Sequence, residues 1–78
     1  MGVDFYLYFS SEADANTAAE TLRAEGYAVV TRLGADDSNW LAVASREVSH
    51  GDLDAVEERM ENLAESLGGE FDGYERDV

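Results

Sequence analysis

The chain has no cysteine and no lysine, a single histidine and a single tryptophan, and no apolar run near the length of a membrane span. Each absence removes a class of function. Without cysteine there is neither a disulfide framework nor a thiolate metal site. A spanning helix takes about 20 consecutive apolar residues, which no segment approaches. The opening Met1-Gly2-Val3-Asp4 places no basic stretch ahead of an apolar one, as a secretory leader would, and Tyr6 stands where a myristoylation signal wants Ser or Thr. The expectation is a soluble, cytoplasmic protein that makes no use of a membrane. The histidine, His50, has no Cys, Lys or second His to work with, so no nucleophile-and-base arrangement can be drawn. At 78 residues the chain makes one domain, 1–78, and a fold of this size hides only about 60% of the surface its unfolded form exposes. A deep catalytic cleft is hard to build there, and an enzyme is not expected.

Negative charge is what the chain has in excess. Eighteen acids face five basic residues, all arginine, for a formal charge of −13. Such a field repels phosphate backbones and draws cationic partners inward, which disfavours direct nucleic-acid binding. The acids admit two readings, a solvating surface suited to a salty cytoplasm or a GC-rich genome, and a docking surface for a basic partner. One does not exclude the other.

Apolar periodicity divides the chain into six elements. Residues 3–9 alternate, with Val3, Phe5, Leu7 and Phe9 on one face and Asp4, Tyr6 and Tyr8 on the other, which predicts a strand whose first face meets helices. Ser10 or Ser11 caps a helix, with Asp14 as the far side of a weak capping box. Ala15, Ala18, Ala19 and Leu22 then form a narrow stripe of small residues able to sit close on a sheet. Gly26 ends that helix and Tyr27 is suited to pack back on its last turn. Residues 27–33 are rich in aromatic and β-branched types and predict a second strand. Gly34-Ala35-Asp36-Asp37-Ser38-Asn39 is a turn cluster joining it to a third, Trp40–Glu47, whose two faces compete as in a central strand covered on both sides. Ser49 caps a second helix, with Asp52 at its third position and Val48 and Leu53 as a hydrophobic staple. Its inner face is Leu53, Val56, Met60, Leu63, Ala64 and Leu67, and its outer face is acidic. Gly68-Gly69 stops it, and residues 70–76 form a last strand. The order β-α-β-β-α-β predicts an α+β fold of the ferredoxin-like, split βαβ type, a four-stranded antiparallel sheet in the order 4-1-3-2 with two helices on one face.

The closing string Gly68-Gly69-Glu70-Phe71-Asp72-Gly73-Tyr74-Glu75 resembles the end of the RraB-like family, bacterial inhibitors of ribonuclease E. Val3-Asp4-Phe5-Tyr6-Leu7-Tyr8-Phe9 is similar to that family's start, and so are Leu22-Arg23-Ala24-Glu25-Gly26-Tyr27 and Trp40-Leu41-Ala42-Val43-Ala44-Ser45-Arg46 further on. The resemblance runs nearly end to end. It implies the same architecture and a regulator that binds the Arg-rich, disordered scaffold half of ribonuclease E, altering RNA decay without touching RNA. No catalytic or binding residue is carried over from it.

Read from its own residues, the chain offers little chemistry. His50 falls in the first turn of the second helix, where a lone histidine is ordinarily a solvated or capping residue. Asp36-Asp37-Ser38-Asn39 lacks the spacing, glycine and terminal glutamate of an EF-hand, so no dedicated metal site and no cofactor are expected. Gly68-Gly69 follows a helix instead of preceding one, unlike a phosphate loop. The face of the sheet away from the helices is the better candidate. With Phe5, Leu7 and Phe9 inward, Tyr6 and Tyr8 point out beside the last strand. Alternation there, with Phe71 and Gly73 inward, turns Asp72 and Tyr74 out, and Trp40 can join from the third strand. Tyr6, Tyr8, Trp40, Asp72 and Tyr74 are the expected partner-binding residues, suited to an Arg-rich segment through cation–π contacts and carboxylate pairing. The other reading makes these aromatics cross-strand stabilisers or the cover of a homodimer interface. The stacking sheet of single-strand RNA binders is excluded by the missing basic-aromatic string on the third strand and by the sign of the charge. Two further classes stay open, a small-ligand-sensing domain and a halophilic domain whose charge only solvates.

Overall fold

A computed structural model describes residues 1–76, so the last two positions of the expected 1–78 domain lie outside the described residues. Strand β1 (Gly2–Phe9) leads into helix α1 (Glu12–Ala24), followed by β2 (Ala28–Leu33), β3 (Trp40–Glu47), a 3-10 turn (His50–Asp52), helix α2 (Leu53–Ser66) and β4 (Glu70–Arg76). The strands lie in the order β2-β3-β1-β4, each antiparallel to its neighbour. This is the split βαβ arrangement the element order predicts, with β1 and β3 central.

The core forms where the alternation of β1 meets the helix stripes. Val3, Phe5, Leu7 and Phe9 are each at most 1% exposed. Ala42 and Ala44 of β3 share their face, opposite Leu7 and Phe5. Ala15, Ala18 and Ala19 of α1 are fully buried against this layer. Small residues on both surfaces let that helix lie close, while α2 fills the wider space beside β4 with Leu53, Val56, Met60 and Leu63. Each large apolar side chain so buried contributes about 1.5–3 kcal/mol.

The start of α1 is as the sequence predicts, the Ser11 hydroxyl accepting from the Asp14 N–H at 3.2 Å. The start of α2 is not. The chain first makes its 3-10 turn, Ser49 donates its hydroxyl to the Asp52 carboxylate at 2.8 Å, and Asp52 stands at the helix cap. Side chain has satisfied side chain, which leaves no hydroxyl for a capping box. Val48 and Leu53 are both buried nonetheless. Strand β2 begins one residue later than expected because the Tyr27 N–H is committed to the Leu22 carbonyl at 3.0 Å.

Candidate functional site

Both helices pack on one side of the sheet and leave the other bare. Which residues reach the bare side follows from register, since directly paired residues of antiparallel strands point the same way. Tyr8 pairs with Leu41, Tyr6 with Val43 and Asp4 with Ser45, and these in turn pair with Arg32, Val30 and Ala28 of β2. Tyr6 and Tyr8 therefore lie on the bare face, half-buried, as the alternation of β1 predicts.

Two of the expected residues lie elsewhere. Trp40 pairs with Phe9 and packs against the core on the helix side, so it does not join the tyrosines. Strand β3 is apolar at every position from Trp40 to Ala44, and period alone cannot assign its faces. Tyr74 pairs with Phe5, and the two ring centroids are 5.9 Å apart. Its ring is turned inward, not outward, although Tyr74 borders the bare face from the sheet edge. The cause is a bulge, as the register of β4 slips between Phe5 and Leu7. Asp72 and Gly73 together stand opposite Tyr6, so Phe71 and Tyr74 both face the core. Gly73 takes φ +94, a backbone state favourable only to glycine, and nothing lies within 4 Å of where its Cβ would be. Its purpose is the bulge and not close helix packing. Gly69 is the crowded glycine, as a Cβ there would collide with the Tyr8 carbonyl oxygen and the Phe9 ring.

The same slip brings Glu75 to the bare face, beside Glu70 and Asp72, which ordinary alternation already places there. Beyond Gly73 the alternation is reset, and Glu75 pairs with Asp4 while Glu70 pairs with Tyr8. The Tyr6 hydroxyl donates to Glu75 Oε2 at 3.2 Å, and the Ser45 hydroxyl donates to Asp4 Oδ1 at 2.6 Å. The Tyr6 phenol is held above its ordinary range, first by partial burial, then by its hydrogen bond to Glu75 and the charges of Glu75 and Asp4. Arg32 acts in the opposite direction. Tyr6 therefore stays a neutral donor.

Two open clefts flank Tyr8. The larger, about 530 Å³, is lined by Tyr8, Asp36, Asn39, Gly69, Glu70 and Asp72 among others. The smaller, about 300 Å³, is lined by Tyr6, Tyr8, Asp72, Tyr74 and Glu75. They share Tyr8 and Asp72 and form one acidic groove floored by rings. Guanidinium groups suit such a groove, pairing with carboxylates and stacking on phenol faces. Glu75 is the member that residue-by-residue alternation misses, whereas Glu70 stands two residues before Asp72 on the same outward face. The Asp72-Gly73 dipeptide, a turn and bulge signal, is what points to Glu75.

Asp36 is committed to its own loop. It accepts from the N–H groups of Ser38 and Asn39 at 3.1 and 3.2 Å and from Asn39 Nδ2 at 3.0 Å. Those bonds hold its carboxyl below the ordinary range. Among the described residues no group of three His, Asp or Glu side chains is placed to hold a metal ion. His50 is exposed in the 3-10 turn. No helix among the described residues is long and apolar enough to cross a membrane.

The family model described as regulator of ribonuclease activity B matches residues 1–75. No curated protein and no solved structure matches the chain.

Proposed function

The chain belongs to the RraB family, the regulators of ribonuclease activity B, and on that premise we propose that it is a non-catalytic regulator that docks a basic, Arg-rich segment of a ribonuclease in its acidic groove. Ribonuclease E is the partner the family's character favours, and on this reading the protein acts in the cytoplasm on RNA decay without direct contact to RNA. The observation that carries this reading is the gathering of Tyr6 and Tyr8 with Glu70, Asp72 and Glu75 on the β1–β4 half of the bare face. Tyrosine rings supply contact area at low entropic cost, and the exposed carboxylates at the rim pair with guanidinium groups. A chain of net charge −13 also speeds the encounter with a cationic segment.

The experiment is fluorescence anisotropy with a labelled Arg-rich peptide from the ribonuclease E scaffold region. Binding is expected at low salt and should weaken at least about tenfold by 0.5 M salt, where the Debye length falls below roughly 5 Å. Neutralising the rim together, Glu70→Gln with Asp72→Asn and Glu75→Gln, should cost roughly 10- to 100-fold in affinity, and Tyr6→Ala roughly tenfold. Affinity indifferent to both salt and the triple variant would remove the docking reading.

A further inference from the structure

The bare face is split lengthwise. Its β1–β4 half carries Asp4, Glu70, Asp72 and Glu75 around the two tyrosines. Its β2–β3 half consists of Ala28, Val30, Val43 and Ser45 above a buried Leu41, with Arg32 the charge among them. Glu47, at the far end of β3, is engaged by the N-terminal amine at 3.0 Å. Val30 is 64% exposed, more than any other large apolar residue of the core elements. It sits in a continuous cross-strand row, Val30 to Val43 to Tyr6. Leu41 is buried, yet it belongs to the bare face and not to the core under the helices. A groove that served charge alone would not adjoin an apolar strip ending at a largely exposed valine.

Resting on the docking reading above, we infer that the docked segment is amphipathic, with arginines on the flank over β1 and β4 and apolar side chains on the flank over Val30 and Val43. The three strand spacings from β2 to β4 span about 14 Å, close to the 10–12 Å diameter of one helix with its side chains. A single segment laid along the strands covers both halves at once. Charge fixes which flank goes where. The acids of β4 attract guanidinium groups, and Arg32 at the opposite edge repels them. The apolar strip supplies affinity that survives salt, and the acidic strip supplies orientation.

Two labelled peptides with equal arginine content separate this inference from the reading beneath it. One carries Leu and Val along a single flank and the other carries Ser at those positions. The amphipathic peptide should bind about five- to tenfold more tightly, on the scale of burying the exposed part of one valine side chain. Val30→Ser should erase most of that preference while leaving affinity for the Ser peptide within about twofold. Its melting temperature should stay near wild type, because the side chain it replaces is exposed. Equal binding of the two peptides, or a Val30→Ser change that weakens both alike, overturns the amphipathic partner and leaves the acidic groove standing. If neither peptide binds, the docking reading itself fails.

Discussion

The two helix-to-strand corners, Glu25-Gly26-Tyr27 ahead of β2 and Leu67-Gly68-Gly69 ahead of β4, share one hydrogen-bond pattern and deliver edges of opposite character. In the first, the N–H groups of Gly26 and Tyr27 reach the Arg23 and Leu22 carbonyls at 3.1 and 3.0 Å. In the second, those of Gly68 and Gly69 reach Glu65 and Ala64 at 3.0 and 2.8 Å. Gly26 and Gly68 take φ +97 and +70, the left-handed cap of a Schellman motif. The corners differ at the next residue. Tyr27 sends its ring edge-on to Phe5, with centroids 6.2 Å apart. Gly69 has no room for any side chain. The first corner is held by what it inserts, the second by what it omits. The strands beyond them follow suit, β2 being regular and free of acids, β4 bulged and acidic.

The sharpest way to break this contrast is to give both corners a methyl group. Gly69→Ala should cost about 3 kcal/mol, the upper range for overpacking, because the obstructing atoms are backbone and a buried ring. Gly26→Ala meets nothing within 4 Å and should cost only the left-handed backbone penalty, about 1 kcal/mol. For a domain this small each kcal/mol moves the melting temperature by about 4–8 °C, so urea or thermal unfolding resolves the order. Equal costs would mean the two corners are held in the same way.

Next in size is the bulge. Gly73→Val penalises the left-handed backbone that the bulge requires; with residue 73 kept and the strand made regular, strict alternation turns Tyr74 to the bare face and takes its ring off Phe5. The expected loss is about 2 kcal/mol, the scale of one partly buried aromatic side chain. The regularised strand also turns Glu75 away from Tyr6, so the Tyr6 phenol, now held above its ordinary pKa of 10.0, should titrate lower. Tyrosine-labelled NMR across an alkaline pH series reads that shift. An unchanged Tyr6 titration would show that the hydrogen bond to Glu75 depends on the edge strand and not on the bulge.

The bulge also marks where the sequence stops being readable by period. β1 alternates without interruption, so Val3 to Phe9 could be assigned residue by residue and Tyr6 and Tyr8 placed outward. Both helices show clear apolar stripes with glycine stops. In β4 one added residue, Gly73, exchanges the roles of Tyr74 and Glu75, and alternation carried across it points the wrong side chain at the bare face. In β3 every residue from Trp40 to Ala44 is apolar, and only pairing with β1 assigns Trp40 to the helix side. Val30 reads as an ordinary β-branched strand former, and its exposure follows from its place on the bare face, where its neighbour Val29 turns under the helices and is buried.

The smallest expected effect concerns the latch across the first corner, which the second does not share. Arg59 of α2 donates to both carboxylate oxygens of Glu25, Nε to Oε1 at 3.2 Å and Nη2 to Oε2 at 2.5 Å. Arg46 donates to the Glu25 carbonyl at 3.2 Å and lies 4.6 Å from the centre of the Tyr27 ring. The hydrogen bond from Arg59 holds the Glu25 carboxyl below its ordinary value of 4.5, with partial burial opposing and the charges of Arg59 and Arg46 assisting. Since the folded-state pKa is the lower one, Glu25 contributes its stability above the ordinary glutamate value and loses it as pH falls through the depressed one. Both side chains are near 40% exposed, at 43% and 37%, so solvent screens the pair and Arg59→Ala should cost roughly 0.5 kcal/mol at neutral pH. The gap between wild type and Arg59→Ala should shrink in 0.5 M salt and close as pH drops below the ordinary glutamate range. A gap that stays constant down to pH 3 would show that the Arg59 stem holds the corner by packing, and both corners would then be fastened by shape alone.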